Sequence, residues 1–242
     1  MLLTLTATCL RSMLLPAGGA RKPQLALEDL PQHAFEVLGL SGLNLSTDLL
    51  VGADRARLES IRERADKAGC AVLLLIESEA QPFAHADEGV GKNAVTRLTR
   101  VVEAARYLGC SAVAVKVLAS DDEASLLKTA SRIRPAVDRA EKLDINVLLS
   151  PHEGLTATPE RVAEVIKRVG GFRIGTFPDF EVAAKSKDPV AYLRRLCPYA
   201  SAVSATTIRF RQGKSALEDI DGSEPFDHEP YALDQLVGAV AS

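Results

Sequence analysis

At 242 residues with 47% hydrophobic side chains, the chain is long and apolar enough to fill one large α/β core, which sets disorder aside. A formal net charge of −3, 5% aromatic residues and no Trp leave neither a basic track nor a stacking surface for nucleic acid. The four cysteines, Cys9, Cys70, Cys110 and Cys197, lack CxxC spacing and fit buried thiols in a reducing cytoplasm.

The N-terminal stretch "MLLTLTATCLRSMLLPAGG" has no basic residue ahead of its apolar run, and Arg11 interrupts it, so "LTLTATCL" is expected to be a first strand rather than part of a signal peptide. No stretch is long enough to span a membrane. Residues 25–37 are helical in pattern and lead to the strand-like "GLNLST". "DRARLESIRERADKAG" places Leu58, Ile61, Ala65 and Ala68 at helical spacing with charge on the opposite face, and "CAVLLLIE" follows as a buried strand. The same unit then repeats. "NAVTRLTRVVEAARYLG" leads to "CSAVAVKVLA", and "DDEASLLKTASRIRPAVDRAEKLD" leads to "INVLLS". "TPERVAEVIKRVGG" leads to "FRIGTFPDF", and "DPVAYLRRLCPYA" leads to "SAVSATTIRF". Asp121, Thr158–Pro159 and Asp188–Pro189 are expected to open helices, and Gly69, Gly109 and Gly170 to close them.

About seven strands interleaved with helices, the strands being continuous apolar runs, imply a parallel sheet covered on both faces. "AGG" at 17–19 lacks the GxGxxG spacing usual in an open doubly wound sheet, so a single TIM-type (β/α) barrel over residues 1–242 is favoured. The C-terminus fits less well. After "SATTIRFRQG" come an acidic stretch and "EPYALDQLVGAVAS", which reads as a final helix, so the barrel is expected to be incomplete, with strand 8 missing, or the N-terminal count is off by one. An open edge beside strand 1 would need a cover, for which a homo-oligomer is one candidate.

The run "VLLSPHEGLTATPERVAEVIKRVGGFRIGTFPDF", followed by "CPYASAVSATTIRF", resembles the xylose-isomerase-like TIM barrels grouped as sugar phosphate isomerases and epimerases. "VVEAARYLGCSAVAVKV" is similar to the segment before and through strand 4 of the same branch, and the likeness covers about residues 60–236. The resemblance implies an isomerase or epimerase of carbohydrate metabolism acting on a small sugar or sugar phosphate. It also implies a divalent metal (Mn, Mg or Zn) held by carboxylates and imidazole at the C-terminal mouth, where carboxylates move a proton between adjacent carbons.

Position by position, the family's strand-5 Glu is Ser150 here, its Asn is Pro151, His152 matches the family His, and Glu153 stands where the family has glycine. Asp179 matches the strand-6 metal carboxylate, and the strand-7 ligand falls near Ser204 to Thr206. The strand-4 Arg and Asn are Ala114 and Lys116, and the strand-8 Glu has no counterpart. The resemblance thus implies Asp179 and His152 as metal ligands, His152, Ser150 and Arg209 as substrate contacts, and Glu153 and Lys116 as acid–base groups. Serine is a poor divalent ligand and no proton-transfer base, so the metal site is expected to be depleted. A catalytically degenerate barrel serving as a binding or regulatory protein is the alternative. Glu153 replaces the lost carboxylate only if Pro151 bends the strand.

For other residues the sequence leaves two readings each. Asp179 either lines the pocket or caps the next segment, and Lys116 either pairs with Asp179 or reaches solvent at the rim. Arg209 and Arg211 either hold a ligand anion or solubilise a strand edge. Glu77 and Glu79 read as a solvated loop, and His85 and His228 as surface residues.

Overall fold

The computed structural model describes residues 2–16 and 22–205. Its sheet has six strands, β1 (Leu5–Thr6), β2 (Gly42–Ser46), β3 (Ala71–Ile76), β4 (Ala112–Lys116), β5 (Asn146–Ser150) and β6 (Ile174–Thr176). All neighbours are parallel, and spatial order follows chain order from β1 to β6. A doubly wound sheet reverses its order at a switch point, and this one does not, which is the topology of a TIM-type barrel. Parallel bridges from Thr176 to Ala200 and from Asp179 to Ser204 lay the start of the expected seventh strand beside β6. Its remainder, the candidate Arg209, Arg211 and His228, and the expected final helix lie outside the described residues, as does the question of an eighth strand.

The helices are α1 (Arg11–Leu14), α2 (Leu30–Glu36), α3 (Arg55–Ala68), α4 (Glu88–Leu108), α5 (Glu123–Glu141), α6 (Pro159–Val169), α7 (Phe180–Lys185) and α8 (Pro189–Leu196). Side chains of Asp54, Asp87, Asp122, Thr158, Asp179 and Asp188 accept backbone N–H groups that the first turns of α3 to α8 leave unpaired. Thr158–Pro159 and Asp188–Pro189 open helices as expected, and Gly69, Gly109 and Gly170 close them with positive φ. The cap of α5 is Asp122, one residue after the expected Asp121, whose carboxylate pairs with Arg161 on α6 instead.

Two further expectations are corrected. Only Leu5 and Thr6 of "LTLTATCL" join the sheet, since β2 offers them just two register positions, Leu43 and Asn44; a 3₁₀ turn (Ala7–Leu10) and α1 follow at once. Local alternation yields here to tertiary pairing. "FRIGTFPDF" supplies only the three residues of β6, because Pro178 has no N–H for the ladder, and Asp179 then starts the unexpected α7.

The sheet separates two cores. Leu75, Val113, Val115, Val147 and Leu149 face the helices and join the large apolar layer with Leu98, Val102, Ile133 and Val137. Leu74, Ala112, Ala114, Leu148 and Phe177 form a smaller cluster on the other face, in the lumen. Period-2 alternation then assigns the remaining strand residues: Asn44 lies opposite Leu74, Lys116 continues the Ala112–Ala114 row, and Ser150 continues from Leu148.

Candidate functional site

In a parallel barrel the C-terminal strand ends and the loops behind them form the functional mouth. Here those ends are Ser46 on β2 and Thr47 after it, Glu77 after β3, Lys116 on β4, Ser150 to Glu153 on and after β5, and Asp179 after β6. Lower in the lumen the lining is polar beside β1, where Asn44 Nδ2 donates to Thr4 Oγ1 at 2.9 Å and to Thr6 Oγ1 at 3.4 Å.

Glu77 is not the solvated residue that its loop-like setting suggests. Its side chain is 1% exposed, and Arg97 from α4 donates to it through Nε at 2.6 Å and Nη2 at 3.3 Å. Thr47 Oγ1 adds a bond at 3.1 Å and the Glu79 N–H another at 3.2 Å, so both carboxylate oxygens are engaged. The acid therefore ties β3 to β2 and α4. Asp48, just beyond Thr47, pairs with Arg11 of α1. Burial opposes its charge, but hydrogen bonds from Ser46 and Arg11 and the charge of Arg11 outweigh that and hold the carboxyl below its usual range.

Asp179 is half-buried, and its Oδ1 accepts the Val182 N–H at 3.1 Å as the N-cap of α7. Beneath it the Tyr192 hydroxyl is buried without a hydrogen-bond partner among the described residues; burial, with Asp179 and Glu160 nearby, pushes it up to about 12. Lys116 and Ser150 are register partners on adjacent strands. Ser150 is 6% exposed, whereas Lys116 is exposed and forms no ion pair with Asp179 or any other acid among the described residues. The Lys116–Asp179 pair considered from sequence is thus absent: the aspartate serves the helix terminus and the lysine reaches solvent.

His152 is half-buried, with its backbone N–H directed at the Thr156 carbonyl at 3.4 Å, and Glu153 is exposed in the turn beyond it. Pro151 leads into that turn rather than bending Glu153 back into the lumen. Gly154 closes it at φ +82°, where an added Cβ would lie 2.1 Å from the Ala119 carbonyl oxygen. Gly154→Ala combines this clash with left-handed strain, and a loss of about 2–4 kcal/mol is expected. Thermal unfolding of the variant measures it.

Among the described residues no three His, Cys, Asp or Glu side chains gather as a metal-binding group. The donor chemistry at β4 and β5 also opposes a divalent cation, since a hydroxyl sits where a carboxylate is needed and an ammonium sits on the next strand. Two concavities occur elsewhere: an open groove of about 670 Å³ between the β3–α4 loop and α5, lined by Ala84, Ala86, Leu127 and Lys128, and a hollow of about 310 Å³ at the opposite end of the barrel, beside Asn146, Phe172 and Tyr199.

Glu77 and its partner Arg97 are what sequence reasoning missed. Alternation could have found Glu77 as an outward residue following Leu75, but nothing local marks Arg97, twenty residues on, as its cation. Lys116 and Ser150 are register partners, His152 follows β5 by two residues, and Asp179 follows β6 by three.

No curated protein matches this chain. Among solved structures, the probable 3-DHS dehydratase AsbF of Bacillus anthracis is similar at 14% identity and TM-score 0.72, over 100% of this chain and 89% of that one. D-psicose 3-epimerase, solved in the presence of D-fructose, is similar at 14% identity and TM-score 0.67, over 82% and 77%. An IOLI protein with a binding zinc atom is similar at 17% identity and TM-score 0.69, over 100% and 84%. At these identities the likeness concerns the fold. A family description, Xylose isomerase-like TIM barrel, matches residues 33–231. With most of its length inside that match and its strands in barrel order, this chain belongs to the xylose-isomerase-like TIM barrel family.

Proposed function

We propose that the chain binds a small sugar or sugar phosphate at the C-terminal mouth, against the ends of β4 and β5, with no divalent cation seated on those strands. One observation carries the reading: the register pairs an exposed lysine with a buried serine where a metal-assisted proton transfer needs carboxylates. The family and the sugar present with D-psicose 3-epimerase support the ligand class. Ser150 and His152 supply hydroxyl and imidazole groups suited to sugar hydroxyls, above the buried apolar cluster of Ala114 and Leu148.

Isomerase or epimerase chemistry is the second reading. It is favoured by Asp179, whose Oδ2 is left open by the cap and which stands one strand from His152, and by Glu153 as an exposed acid on the same rim. Calorimetry with D-fructose and D-fructose 6-phosphate, with and without Mn²⁺, separates the two, together with proton NMR of the sugar in D₂O. Binding that is unchanged by Mn²⁺ or chelator, with no deuterium entering a carbon position, is the expected result. Metal-dependent binding with deuterium exchange would overturn it in favour of the enzyme.

A further inference from the structure

Resting on the sugar-binding reading, we propose that Lys116 is the specificity-determining residue of the mouth and selects a ligand that carries an anionic oxygen group, a phosphate or a carboxylate. The argument is one of charge balance. Glu77 is paired with Arg97 and Asp48 with Arg11, while Asp179 gives Oδ1 to the first turn of α7 and makes no ion pair with Lys116. Of the acids on the loops around β4, Asp121 pairs with Arg161, Asp122 caps α5, and Glu79 and Glu153 are exposed and make no ion pair with Lys116. Lys116 is therefore an uncompensated charge on the inward row among the described residues.

Its surroundings suit an anion. Ala112 and Ala114 below it carry no polar side-chain atoms, so nothing in its own row competes for the ammonium. Ser150, its register partner, carries a hydroxyl that takes no hydrogen-bond partner among the described residues and supplies a second donor. An ammonium and a hydroxyl on adjacent strands at the edge of a low-dielectric lumen form a two-donor seat for one anionic group, and the lysine stem is long enough to follow it. The same charge repels a divalent cation.

The test uses the full chain and the Lys116→Met and Lys116→Arg variants, titrated by calorimetry with inorganic phosphate, D-fructose 6-phosphate, D-gluconate and D-fructose. The wild type is expected to bind at least one anionic probe more tightly than D-fructose. Lys116→Met should weaken that binding about tenfold to a hundredfold, Lys116→Arg should retain most of it, and D-fructose binding should fall by a smaller factor than binding of the anionic probe. Raised salt should weaken only the anionic probes. Which anion wins distinguishes a phosphate from a carboxylate ligand. Lys116 is exposed, so the Met variant should melt with the wild type, and that melt serves as the folding control. Equal binding of D-fructose and the anions, unaffected by Lys116→Met, would overturn the anion and leave the sugar-binding reading intact. Absence of binding by all four probes would overturn both.

Discussion

Arg97→Met is expected to destabilise the protein by about 2–3 kcal/mol, more than the reverse truncation of its partner. The asymmetry follows from exposure: the Arg97 side chain is 46% exposed and Glu77 is 1% exposed. Removing the arginine leaves a carboxylate in the wall between β2 and β3 with only Thr47 and a backbone N–H to support it. Removing the acid instead, as in Glu77→Gln, leaves a guanidinium that turns to water, and the amide oxygen can still accept from Thr47. That change should cost about 1 kcal/mol. The double variant Arg97→Met with Glu77→Gln should recover most of the loss. Urea unfolding of the four proteins gives the coupling as a double-mutant cycle, and additive single effects would show that Glu77 does not depend on Arg97.

Phe83→Ala should have the largest effect of a single truncation, about 3–5 kcal/mol. Its ring is 0% exposed in the loop that joins β3 to α4, and among the described residues it is the largest of the fully buried side chains. Its carbonyl oxygen also accepts from Arg132 Nη1 at 2.6 Å, in a clamp that holds the His85 carbonyl at 2.9 Å and Glu88 at 2.7 Å. The loop over the mouth is thus pinned from below by a ring and from α5 by a guanidinium. Thermal melts of Phe83→Ala and Phe83→Leu would divide the loss between cavity and contact, the leucine variant recovering more than half of it.

Much of this architecture is legible in the sequence because β2 to β5 are buried on both faces and the helices between them are amphipathic. Leu58, Ile61 and Ala65 fall on the buried face of α3 as their spacing requires. Period-2 alternation also suffices to set Ser150 and Lys116 on lumen rows, since it needs only one reference residue per strand. What was not legible depends on distant partners. The length of β1 is decided by how far β2 runs beside it, and the choice between Asp121 and Asp122 as a cap by where Arg161 stands. The burial of Glu77 is decided by Arg97 and Thr47, 20 and 30 residues away, and an isolated "IESE" carries no trace of either. The α7 segment is six residues, Phe180–Lys185, too short for a periodic signal.

Strand order has a consequence for how the molecule comes into being. Since each strand from β2 to β6 pairs with the one made just before it, a chain emerging from the ribosome meets a finished edge at every step. Each helix of the α3 to α6 series packs on the one before it, so the outer layer accretes in the same direction. Separations along the chain stay near the length of one βα unit, which keeps loop-closure entropy low for a parallel sheet. Growth of this kind favours vectorial assembly, in which the N-terminal units template those that follow and the Glu77 tie steadies the edge on which β4 is laid.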